Sequence, residues 1–133
     1  MEKFEFTKSE LEETTEILNH LRDIIGETLK SDDEQQLREQ LTTAIVEGHI
    51  QRDIFGLNPI VQALRTAQIA VDEIGLKRDG VLATMLFTLV LNGHLTLEDT
   101  ETKFGTSVAH IIHGLVKIHN LYKKNPIIES ENF

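Results

Sequence analysis

The chain has 133 residues, 40% of them apolar, which suffices for one domain with a real core. Its formal net charge of -9 disfavours nucleic acid as a partner, and no basic stripe with interleaved aromatics offsets that charge. The absence of cysteine excludes disulfides and thiolate metal sites and fits a reducing, cytoplasmic setting.

Residues 1–34 carry eleven acids and four bases, whereas 35–133 carry eleven and nine. Met1 to Phe6 alternates charge and aromatics and lacks the apolar segment of a signal peptide. Thr7-Lys8-Ser9-Glu10 has capping-box spacing, and Leu11, Ile17, Leu18, Leu21, Ile24, Ile25 and Leu29 recur mostly at three- and four-residue steps. This predicts an amphipathic helix over about 8–29. Ser31-Asp32-Asp33-Glu34 opens a second helix bearing Leu37, Leu41, Ala44, Ile45 and Val46, which Gly48 ends. The acids read as a solvated face and as favourable charge near helix N-termini.

Residues 49–57 form a connection. Asn58-Pro59 reads as an N-cap followed by proline at the first helical position, and Gly75 stops that helix after Ile74. The run Val81 to Leu91 holds no charge, glycine or proline. As a helix it spans roughly 16 Å, too short for a bilayer core of about 30 Å. It therefore reads as a central helix, from about Asp79 to Asn92, wrapped by the others. Thr96-Leu97-Glu98-Asp99 starts a short helix ending near Phe104-Gly105. Thr106 or Ser107 caps the last clear helix, to about Lys123. On its wheel Val108, Ile111, Ile112, Leu115, Ile118 and Tyr122 share one face, His110, His113 and Lys117 the opposite one, and His119 falls on the apolar side. Asn125-Pro126 breaks the helix, and 127–133 is a tail. The fold class is all-α, a single helical domain over 1–133, with 1–48 an N-terminal helical pair and 49–133 the core unit.

Six histidines invite a metal. His110 and His113 have a usable two-ligand spacing, but the positions one turn on are Gly114 and Lys117, so they read as surface histidines. His119 reads as a core or interface histidine, His94 as a loop residue, and His20 and His49 as isolated. No Gly-rich phosphate loop and no nucleophile elbow exists. Asp72-Glu73 and Glu98-Asp99 are each adjacent in sequence, point to different sides of a helix, and read as solvated surface.

The residues from 56 onward carry a resemblance. Gly56-Leu57-Asn58-Pro59-Ile60, Glu73-Ile74-Gly75-Leu76, the central apolar helix, then Thr96-Leu97-Glu98, Phe104-Gly105, Val108-Ala109, Gly114-Leu115 and Lys117-Ile118 resemble, in order and spacing, the N-terminal domain of RelA/SpoT-type enzymes of (p)ppGpp metabolism and the bacterial stringent response. The resemblance covers roughly residues 50–133. It implies an HD-domain-like helical bundle that, in active family members, uses manganese to remove the 3′-pyrophosphate. The family's ligands are a His before a Pro, a His-Asp pair in the central helix and a later Asp, with an acidic pair assisting the attacking water. A metal there polarises phosphate and acidifies a bound water.

At those positions this chain has Asn58, then Phe87-Thr88, then Leu91-Asn92 in place of the acidic pair, and the later Asp would lie past Phe133. Such a set cannot hold a divalent metal with useful affinity. Phe87 and Leu91, four apart, are expected to pack into the space the metal leaves. The resemblance thus implies a degenerate, catalytically inactive HD-like regulatory domain, with no cofactor of its own, whose partner is a GTP pyrophosphokinase (synthetase) domain downstream in the same chain. Three further readings remain open: a hydrolase with ligands relocated to His94, His110 or His113; a nucleotide-sensing module in which Arg52, Arg65, Lys77 and Arg78 hold ppGpp or GTP phosphates rather than lying solvated on the surface; and an interaction domain with no link to alarmones. No membrane and no direct nucleic-acid contact is expected.

Overall fold

The computed structural model describes residues 3–124, and the described residues are helical with no strand among them. Six helices follow one another: α1 Lys8–Ile25, α2 Ser31–Val46, α3 Pro59–Ile74, α4 Arg78–Leu91, α5 Leu97–Phe104 and α6 Thr106–Lys124. Local chemistry explains their starts. Thr7 Oγ1 accepts from the Glu10 N–H at 3.1 Å while Glu10 Oε1 accepts from the Thr7 N–H at 2.9 Å, the reciprocal capping box. Asn58 Oδ1 accepts from Ile60 N and Val61 N, and Thr96 Oγ1 accepts from Asp99 N. For α2 the N-cap is Lys30, whose own N–H is accepted by Asp33.

One boundary differs from expectation. α1 stops at Ile25 rather than near 29, because the Ile25 carbonyl accepts from Thr28 N, Leu29 N and Thr28 Oγ1 in a tight turn. The break at Asn125-Pro126 and the tail 127–133 lie outside the described residues.

α4 is the central helix. Val81, Leu82, Ala83, Met85, Leu86 and Leu89 are buried, and α2, α3 and α6 pack against it. α1 lies on α3, and α5 lies on α6. The two N-terminal helices each join this core rather than standing apart: Ile17, Leu21, Ile25 and Ala44 share one apolar cluster with Leu64, Leu86 and Ile112. Each fully buried aliphatic side chain contributes about 2 kcal/mol through removal from water. No helix among the described residues is long and apolar enough to cross a membrane.

Two expectations about faces are corrected. α4 is not wrapped all round: Thr88 is exposed, and Phe87, Val90 and Leu91 are half-buried. On α6 the buried stripe is Val108, Ala109 and Ile112, while Ile111, Ile118 and Tyr122 are exposed. For Ile118 and Tyr122 the reason is length. α6 has 19 residues against 14 in α4 and 8 in α5. At a rise of about 1.5 Å per residue its neighbours are too short to cover its last turns. From His113 to Tyr122 no α6 residue is fully buried.

Candidate functional site

Asn58, the residue before Pro59, is 3% exposed. Its Oδ1 is spent on capping α3. Its Nδ2 lacks a hydrogen bond of normal length, yet lies near enough to Glu10 to help depress that carboxyl. Phe87 sits edge-on to His119, ring centroids 6.1 Å apart. Phe87 and Leu91 are half-buried and lie outside the buried core cluster, so they are not the core-filling pair expected of them. The helical period decides this: the buried face of α4 runs through positions 82, 85, 86 and 89, and 87, 88 and 91 fall to its side. Thr88 shares a small recess with Pro59 and Ile60, so the start of α3 and this turn of α4 are neighbours. Asn92 is exposed and its Nδ2 donates to the His49 carbonyl at 2.8 Å. The arrangement at these five positions is a helix cap and a set of packing contacts, with no clustered oxygen or imidazole donors among them.

The arginines singled out as phosphate candidates are paired cations, Arg65 exposed and Arg52 and Arg78 half-buried. Each is held by carboxylates. Arg52 donates from both Nη atoms to Glu10, at 2.8 and 2.5 Å, and also to the Gly56 and Glu5 carbonyls, with its guanidinium over the Phe4 ring. Arg65 donates to both Glu13 oxygens. Arg78 donates to both Asp33 oxygens at 2.9 and 2.8 Å, to Asp79 Oδ1, and to the Phe104 carbonyl at the end of α5. The Arg52 fork, together with the Thr7 N–H, pulls the Glu10 pKa down to about 2. Arg78 holds Asp33 below its usual range and is itself raised. Arg65 likewise lowers Glu13. Lys77, the N-cap of α4, is exposed. The four cations do not converge on one pocket: Arg52 and Arg65 grip the first turns of α1 and Arg78 the first turn of α2. A phosphate would have to displace a bidentate carboxylate at each arginine.

The histidines also differ from expectation. His119 is exposed, against the side of Phe87 rather than in the core. His20 pairs with Asp72 at 2.8 Å, joining α1 to α3. His49 lies against His94, ring centroids 4.8 Å apart. His110 and His113 are exposed, as expected.

A cavity of about 370 Å³ opens between α1 and α2, which the sequence did not suggest. Leu11, Leu18, Leu37, Leu41 and Met85 line it, with Arg38 and the Arg22–Glu34 ion pair also on its wall. Its only local signal is the sparse apolar content of α2, in which Ala44 alone is fully buried. Thr14 Oγ1, also on its wall, has no hydrogen-bond partner. Apolar walls of this size suit an apolar group.

No protein-family model, no curated protein and no solved structure matches the chain. The fold and the site residues define an all-helical bundle bound together by arginine–carboxylate clamps.

Proposed function

We propose that this chain is a non-catalytic regulatory helical domain of a RelA/SpoT-type protein, a degenerate HD-like unit acting on a GTP pyrophosphokinase domain downstream in the parent polypeptide. The residue pattern from Gly56 to Ile118 supports it. The observation that carries its non-catalytic half is the fate of the ligand positions: Asn58 caps a helix, Phe87 packs on His119, and Thr88 faces solvent. The overhanging turns of α6 support its regulatory half. Ile118 and Tyr122 there are 55% and 61% exposed, an apolar strip on the helix that leads toward the C-terminus. Covering such a strip in one state of the parent protein and not the other supplies the few kcal/mol that bias a two-state equilibrium.

The test is calorimetric titration of ppGpp with and without manganese, paired with an assay for pyrophosphate release. The expected result is no manganese-dependent heat and no turnover. Manganese-dependent release of pyrophosphate would sink the reading. In the parent protein, Ile118→Glu with Tyr122→Glu is expected to change the rate of ppGpp synthesis several-fold, and an unchanged rate removes the regulatory half.

A further inference from the structure

α2 and α4 end in the same way. Glu47-Gly48-His49-Ile50 and Asn92-Gly93-His94-Leu95 each follow the last helical turn. Gly48 and Gly93 have φ of 79° and 77°, the left-handed conformation that glycine adopts without strain. The N–H of His49 donates to the Ala44 carbonyl and that of His94 to the Leu89 carbonyl, closing equivalent caps. Ile50 and Leu95 are buried at 4% and 3% exposure, anchoring both turns. The Asn92 side chain donates to the His49 carbonyl and ties the two ends together.

This places three potential ligands of two types in one spot. Donor atoms of Glu47, His49 and His94 all lie within 4.8 Å of one another. Glu47 Oε2 is 3.3 Å from His94 Nδ1. Tetrahedral zinc with ligands at about 2.1 Å sets its donor atoms about 3.4 Å apart, so the Glu47–His94 edge already has the required length. The His49 donor atom, within 4.8 Å of the other two, would have to close in to complete the triangle. The His94 side chain is 6% exposed and that of Glu47 is 52% exposed, so the cluster is walled on one side and open to a fourth ligand on the other. The C-terminal ends of both helices meet here, and their dipoles favour a cation.

We propose that Glu47, His49 and His94 form a binding site for a divalent transition metal of the zinc type, with the fourth position left to water. Two imidazoles and one carboxylate select such an ion over magnesium or calcium. The site is separate from the family's ligand positions and independent of the regulatory reading. Its structural consequence falls on α2, whose first turn Arg78 already fastens through Asp33. A metal would fasten its other end to α4 and fix one wall of the apolar cavity.

The test is titration of zinc into the native chain in a non-chelating buffer, followed by calorimetry and by imidazole ¹⁵N shifts. One ion per chain is expected, with shifts at His49 and His94. The combination His49→Ala with His94→Ala should weaken binding by about a hundredfold. His110→Ala with His113→Ala should leave it unchanged. No saturable binding, unaltered affinity in the first variant, or shifts confined to His110 and His113 each overturn the site. The shift measurement uses the unmodified chain, so it decides the matter even if a variant misfolds.

Discussion

Arg78 and Asp33 join the first turn of α4 to the first turn of α2 through two parallel hydrogen bonds, with Oδ2 at 2.9 Å and Oδ1 at 2.8 Å. The same guanidinium reaches the Phe104 carbonyl, so one side chain ties three helices. α2 depends on such ties, because Ala44 is its one fully buried residue.

Arg78→Ala is therefore expected to destabilise the fold by about 2 kcal/mol, less than for a fully buried pair because both partners keep some solvent contact. Arg78→Lys keeps the charge but loses the fork, and should cost about 1 kcal/mol. Urea unfolding checks both. A loss for Arg78→Ala below about 0.5 kcal/mol would show that the clamp is energetically idle.

The acid side of the stability profile follows from Glu10, Asp33 and Glu13. All three are held below their ordinary values by arginine partners, Glu10 down to about 2. A depressed folded-state pKa means the unfolded chain binds more protons over that interval. The stabilisation is present above the unfolded value near 4.5 and is lost as pH falls toward 2. Thermal midpoints measured from pH 6 to 2 should drop in that window, and Glu10→Gln should flatten the drop.

The two faces of α4 predict a contrast. Leu86 is fully buried, so Leu86→Ala is expected to cost about 3 kcal/mol. Phe87 is half-buried, so Phe87→Ala should cost less despite removing more atoms. Denaturant midpoints for the pair decide the matter, and the reverse order would mean that Phe87 belongs to the core.

Asn58→Ala removes the α3 cap and should cost about 1 kcal/mol or more. Thr14→Val is expected to act oppositely. It removes a hydroxyl that has no partner, and should be neutral or stabilise by up to about 1 kcal/mol. Calorimetric melting of both variants reads the signs directly.

Except for the stop of α1, the helix starts and stops were legible because their causes are local. Thr7 with Glu10, Asn58 with Pro59, Thr96 with Asp99, and the glycines at 48, 75 and 93 each act within a few residues. The burial of α6 was legible only in part. Its wheel offers more than one apolar stripe, and α4 and α5 are what choose Val108 and Ile112 over Ile111 and Ile118.

The sequence alone determined the all-helical class, the element order and the central position of α4, since periodicity, capping and the uncharged run at 81–91 are properties of contiguous residues. Only the tertiary structure decided the partners. Arg52 meets Glu10 across 42 positions and Arg65 meets Glu13 across 52. His49 meets His94 only because α2 and α4 end side by side. Contacts of that kind depend on how helices are stacked, and nothing within one turn of either residue encodes them.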